Sequence, residues 1–320
     1  MGRYLISRFL KWIPSAVIVL LLVYALAFYG AGDPIKLIFL RAPGDVVWDP
    51  KQIEILRESV GLDRPFLIQF GDYLWHILHG NLGNSIITNR PVNDIIAAAA
   101  PVSLQIGLAA TVLMAIGGIP LGVLAALNQN TWLDNIIVAF SLFIWAVPVY
   151  VAGPLLMVFL VLGLDVMQVP YGWDGLFSSK AIIPVLVLAL NPLALVIRQT
   201  RSAVIEVLSK DYIRTAYAKG IPRRVVVFRH ILRPVLTPVI TTLGLIMITM
   251  INGAILVETV FGMPGLGRLT VSSIIDVDYP VILAITLIGT FLVMASNLLV
   301  DLVNPILDPR AVRAQSKEGS

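Results

Sequence analysis

Residues 135–163 read "NIIVAFSLFIWAVPVYVAGPLLMVFLVLG", a stretch without one charged side chain. An α-helix rises about 1.5 Å per residue, so about 20 apolar residues cross the roughly 30 Å of hydrocarbon in a bilayer. This run is long enough to cross, and it is apolar on every face. A transmembrane strand would instead alternate polar and apolar over about ten residues. Five further runs are predominantly apolar: 9–30 ("FLKWIPSAVIVLLLVYALAFYG"), 101–126, 181–198, 235–257 and 280–304. The expected fold class is therefore all-α, a polytopic membrane protein with six transmembrane helices.

Composition points the same way. Hydrophobic residues make up 58% of the chain and charged residues 13%, against about a quarter charged in soluble domains. The mean hydropathy is +0.89. With no cysteine, disulfides, thiolate metal sites and cysteine nucleophiles are excluded.

The net charge of +4 gains meaning from where the cations lie, because Lys and Arg flanking spans are retained in the cytoplasm. Arg3, Arg8 and Lys11 accompany the start of span one, and Arg310, Arg313 and Lys317 follow span six. Between spans four and five stand Arg198, Arg201, Lys210, Arg214, Lys219, Arg223, Arg224, Arg229 and Arg233. With six spans all three regions fall on one side, which gives an N-in/C-in topology. A basic start and the triplet "ALA" at 25–27 also fit a cleavable signal peptide, but the apolar run is long for one and is read as a retained span.

The organisation expected is a basic segment and first span over 1–30, then an external loop with amphipathic helices over 31–100. A core bundle of spans two to six follows over 101–304, and a cytoplasmic tail over 305–320. Within the external loop, Phe66, Phe70, Tyr73, Leu74 and Ile77 recur at helical spacing. His76 and His79 share a helix face there, but without a third ligand nearby they read as surface histidines.

The segment 211–234, "DYIRTAYAKGIPRRVVVFRHILRP", separates spans four and five. Asp211 suits an N-cap, Gly220 a left-handed C-cap, and Pro222 the start of a second helix. Ile205, Leu208, Tyr212 and Ala216 fall on one face that can rest on the ends of the spans, while Lys210 and Arg214 point elsewhere. Such a helix presents its other side either to a soluble protein or to anionic lipid, and the residues alone do not choose.

The segment resembles the cytoplasmic loop of permease subunits of ABC importers. Arg214, Thr215 and Ala216 stand at the glutamate and two alanines of the general pattern, and Gly220 at its glycine. The arginine at 214, with His230, Leu232 and Arg233, departs from that pattern toward the dipeptide/oligopeptide/nickel branch. Residues 62–86 ("LDRPFLIQFGDYLWHILHGNLGNSI"), 253–284 ("GAILVETVFGMPGLGRLTVSSIIDVDYPVILA") and 297–310 ("NLLVDLVNPILDPR") resemble other parts of the same family.

The resemblance implies that a coupling helix at about 205–220, through Arg214, Thr215, Ala216, Lys219 and Gly220, inserts into a cleft on an ATPase subunit. Ala216 would be small because that cleft closes around it. It also implies an external gate near Glu258, Phe261, Pro264, Gly265 and Gly267, where the residues alone read as a turn with a glutamate that is either part of a gate or simply solvated. Asn191, Thr249 and Asn252 are polar within spans and are candidates for the pathway, or for local backbone satisfaction beside Pro192. Implied partners are a second homologous permease, two cytoplasmic ATPase subunits, an extracytoplasmic substrate-binding protein and membrane lipid. The implied location is a bacterial or archaeal inner membrane.

Mechanism classes are narrowed by missing features. No G-x-x-x-x-G-K-S/T occurs, so nothing in the sequence cradles ATP phosphates. No acidic residue is expected deep inside a span, where an ion-coupled transporter would place one, and no histidine lies inside a span to serve an intramembrane enzyme. A non-catalytic transport subunit is expected, with no cofactor, metal or nucleic-acid partner. The alternative is a membrane-embedded enzyme or assembly factor not driven by a partner ATPase.

Overall fold

The computed structural model describes residues 2–30 and 64–307. Among the described residues the regular elements are all helical, with one isolated antiparallel bridge between Asn84 and Pro91. The helices are α1 (Gly2–Gly30), α2 (Phe66–Leu78), α3 (Val92–Leu127), α4 (Trp132–Ala146), α5 (Val149–Met157) and α6 (Ser179–Leu208). There follow α7 (Asp211–Ala218), α8 (Arg223–Val225), α9 (Leu232–Gly253), α10 (Ile255–Val260), α11 (Leu266–Asp276) and α12 (Tyr279–Leu307). π-helical turns continue α5 over Val158–Gly163 and join α8 to α9 over Val226–Ile231.

Three helices, Val92–Leu127, Ser179–Leu208 and Arg223–Met247, are each long and apolar enough to cross a membrane. The pair α4 and α5, with its π-helical end, makes a fourth if taken as one span. That pair corrects the expectation of a single run over 135–163, because its arms are bent by 100°. The cause is Pro148, whose ring crowds the residue before it and which has no N–H to donate. Val147 is accordingly extended, with φ −81° and ψ 117°, and ends α4. The break deprives the Trp145 carbonyl of its helical donor. Asn191 of α6 replaces it, donating from Nδ2 to that oxygen at 3.2 Å.

The chain divides into two compact units. The larger comprises 102–264 and 293–320. Its core joins Ile106 and Met114 of α3, Val187, Val196 and Val204 of α6, and Val235 and Val239 of α9, all buried. Glycines let α3 approach α6 closely: a Cβ on Gly118 would lie 2.7 Å from Val196 Cγ1, and one on Gly122 would lie 2.6 Å from the Ile197 carbonyl oxygen. Small residues four apart are a common device for bringing membrane helices into backbone contact, where lipid offers no hydrophobic drive.

The smaller unit comprises 1–101 and 265–292. The helical spacing read from Phe66 to Ile77 is the helix α2, which packs its aromatic side chains on α1. Tyr24 meets Phe66, Phe70 and Tyr73 with ring centroids 5.5–5.8 Å apart. A second cluster joins Val92, Ile96 and Ala99 to Leu266, Val281 and Ala284. Beside it the buried Asp278 accepts from the Ser85 hydroxyl at 2.5 Å and from the Ile86 N–H at 3.1 Å, which fixes the turn carrying residues 82–91. The rest of the expected external loop, 31–63, and the tail from 308 onward lie outside the described residues.

Candidate functional site

The basic segment folds as a helix, a sharp turn and a helix, with two corrections. Residues 205–208 belong to the last turn of α6, so the short helix is α7 alone. Lys210 holds the N-cap position, and Asp211, read as the cap, is the first helical residue and makes no capping bond. The turn after α7 needs a left-handed residue, and Gly220 supplies it with φ +73° in open space. Pro222 then stands just before α8.

α7 is two-faced. Ile213 and Ala216 are buried in the core of their own chain, together with Val204, Val207, Val226 and Ile231. Ala216, 4% exposed, is therefore small because α7 lies flat on this core, whatever covers its other side. Tyr212, expected on the packed face, is instead exposed and Ile213 takes that place; the open side shows Tyr212, Arg214, Thr215, Tyr217, Lys219 and Gly220 to solvent. Arg214 pairs loosely with Asp211 at 3.8 Å, an exposed contact that leaves the guanidinium accessible.

At the opposite end of the larger unit, the expected fifth span stops at Gly253, and Glu258 sits on the separate helix α10. Of the two readings of Glu258, the solvated one is ruled out: the residue is 0% exposed and accepts a hydrogen bond from the Ser103 hydroxyl at 2.6 Å. Its carbonyl also accepts from the Met263 N–H at 2.8 Å, closing a turn. Phe261 is buried, and its carbonyl accepts from the Gly172 N–H at 2.9 Å. Gly262 is left-handed at φ +63° and is covered by Tyr171, whose ring atoms would stand 2.5 Å from a Cβ. Pro264 is exposed. In the smaller unit, Gly265 holds the N-cap position of α11 and Gly267 is buried in its first turn.

Of the polar span residues, Asn191 stitches the bend as described, and its Oδ1 is buried without a partner. The side chains of Thr249 and Asn252 lie outside the described residues.

Two arrangements escaped sequence reasoning. Asp134, 2% exposed, receives Arg201 in a two-pronged pair, Nε to Oδ1 at 2.7 Å and Nη2 to Oδ2 at 2.8 Å. The Asn130 N–H adds a third bond to Oδ2 at 3.0 Å. Arg198, one turn along α6, lays its guanidinium over Trp145, 5.2 Å from the ring centroid. The partners are 67 residues apart in the first case and 53 (198 − 145) in the second, so no spacing rule connects them.

Long apolar helices, one of them broken, with a short two-faced helix at one end and a packed turn at the other, define a membrane-embedded subunit with no catalytic constellation among the described residues. The chain belongs to the family of binding-protein-dependent transport system inner membrane components, which matches residues 118–313. It is 33% identical over 312 residues to the oligopeptide transport system permease protein OppB of Salmonella typhimurium, covering 97% of this chain and 99% of that one. It is 39% identical over 262 residues to the dipeptide transport system permease protein DppB of Lactococcus lactis, covering 82% and 86%. The glutathione transport system permease protein GsiC of Salmonella choleraesuis is 34% identical over 313 residues, covering 97% of this chain and 98% of that one. Among solved structures, the inward-facing MetNI methionine ABC transporter shares the fold over 65% of this chain and 96% of its own, with a TM-score of 0.53 at 16% identity. An amino acid ABC transporter does so over 66% and 93%, with a TM-score of 0.51 at 16% identity.

Proposed function

We propose that this chain is one half of the translocation pathway of an ATP-driven importer of peptides or a similar small solute, in a bacterial or archaeal inner membrane. Six spans run N-in/C-in, with the bent pair as the third. A second, homologous permease supplies the other half. Two cytoplasmic ATPase subunits supply energy, and an extracytoplasmic binding protein delivers the solute.

The observation that carries this reading is the two-faced α7. A helix whose Ile213 and Ala216 are locked into the same core as Val204, Val226 and Ile231 cannot be displaced without displacing the ends of α6 and the helix leading into α9. Its free face carries Tyr212, Thr215 and Tyr217, which suits a cleft on a soluble protein. ATP binding draws the ATPase subunits together, α7 moves with them, and the spans rock between inward-open and outward-open arrangements. At the far end, the turn from Glu258 to Gly267 serves as the external gate, and Asn191, Thr249 and Asn252 border the path. Lipid surrounds the apolar outer faces.

The test uses the assembled transporter. Tyr217→Ala removes half-exposed aromatic surface from the free face, and Gly220→Val redirects α7 by placing a side chain at φ +73°, at a local cost of about 1 kcal/mol. Both variants should insert and pair with the second permease but lose co-purifying ATPase and ATP-driven uptake. Normal ATPase retention and normal uptake in both would refute the coupling role and favour a helix that rests on lipid.

A further inference from the structure

In the larger unit, α4 and α6 run antiparallel. Asp134, at the start of α4, meets Arg201, while Trp145, at its end, meets Asn191. The first contact adjoins the polar turn 128–131 that joins α3 to α4, at the end of the apolar run. Arg198 lies one turn further in, and its guanidinium leans inward still, onto the Trp145 ring. An arginine near a membrane surface ordinarily extends toward water. This one does the opposite.

Two polar atoms collected there have no hydrogen-bond partner among the described residues. Among the described residues Arg198 has the indole as its partner and no ion pair, and its Nε is buried with no hydrogen bond. Asn191 Oδ1, two helical turns away on the same face of α6, is also buried and unbonded. Trp145 remains 47% exposed. In hydrocarbon such groups would be left without partners, which membrane proteins avoid unless the groups face a wet cavity. The chemistry on offer is a planar cation held by an aromatic ring, with an unbonded amide oxygen two turns, about 10 Å, along the same helix. A carboxylate matches the guanidinium fork, and a neighbouring N–H matches the amide oxygen.

We propose that Arg198, backed by Trp145 and Asn191, binds the terminal carboxylate of the transported peptide inside the membrane. This rests on the peptide-import reading above. It makes the permease itself a selector for free acids, in addition to the protein that delivers the solute. Arg201 does not share the role, because Asp134 already occupies its fork.

The experiment measures ATP-driven uptake of trialanine and of trialanine amide by the complete transporter in liposomes, with the same binding protein throughout. The quantity read is the acid-to-amide ratio of kcat/KM, so any change between variants arises in this chain. Replacing a charge-assisted contact by a neutral one should lower that ratio about tenfold or more in Arg198→Gln. Arg198→Lys keeps the charge but not the fork, and its ratio should fall severalfold. A purely structural role would reduce both peptides equally and leave the ratio unmoved, which overturns the proposal. An unchanged ratio in the lysine variant does so even if the glutamine variant fails to assemble. Uptake of neither peptide by the unmodified complex overturns the peptide reading and this site with it.

Discussion

Arg201→Met isolates the energetics of the pair that ties α4 to α6. The substitution keeps the apolar stem of the side chain and removes both bonds to Asp134, at 2.7 and 2.8 Å, leaving only the Asn130 N–H on a carboxylate that is 2% exposed. Two unit charges about 4 Å apart attract by about 4 kcal/mol at an effective dielectric of about 20. Stripping one partner from a buried pair costs about 3–5 kcal/mol, since the stranded charge stays desolvated. Arg201 is 27% exposed, so the pair is only partly buried and the cost is set at the lower end, about 3 kcal/mol, which corresponds to a fall of roughly 10 °C in the unfolding midpoint of a domain this size. Thermal unfolding of the purified complex in detergent, followed by loss of the monodisperse peak, provides the assay. Asp134→Leu combined with Arg201→Met should recover most of the loss, because no charge is then left buried. If the double variant is as unstable as Arg201→Met alone, the reasoning from an unpaired carboxylate is wrong.

Two other outcomes are expected. Gly262→Val meets both the Tyr171 ring and the left-handed φ of +63°, so transport should fall while the complex still assembles, and Tyr171→Ala in the same chain should restore part of it; no restoration would show that the ring does not hold the turn. In this cysteine-free chain, Ser209→Cys should react with an impermeant thiol reagent only from the cytoplasmic side and Gln168→Cys only from outside. Labelling of both from one side would sink the N-in/C-in arrangement.

What was legible in the sequence was whatever local physics dictates. Apolar runs gave the long helices, and the left-handed turn at Gly220 followed from a glycine placed between a short helix and a proline. Proline by itself was a poor guide to breaks: Pro184 and Pro192 lie inside an uninterrupted α6, and Pro238 lies inside α9, yet Pro148 turns the chain by 100°. The difference at Pro148 includes a tertiary contact, the Asn191 amide on the freed Trp145 carbonyl, which no window of sequence contains. The direction of the two faces of α7 was only half readable, because Ala216 suits a packed core and a partner's cleft equally. Whether Glu258 was solvated or packed could not be read without Ser103, 155 residues earlier. Asp134 gave one faint signal, a carboxylate at the threshold of an apolar run, but its partner was hidden among nine basic residues between spans four and five.

The bend between α4 and α5 bears on how the chain is made. Each arm, Trp132–Ala146 or Val149–Gly163, is too short to cross about 30 Å of hydrocarbon at about 1.5 Å per residue. Neither arm can therefore serve as a span by itself. The group that satisfies the opened carbonyl is 46 residues downstream, so it is made only after both arms have been synthesised. The corner in this chain thus gains its hydrogen-bonded support only once the following helix is in place.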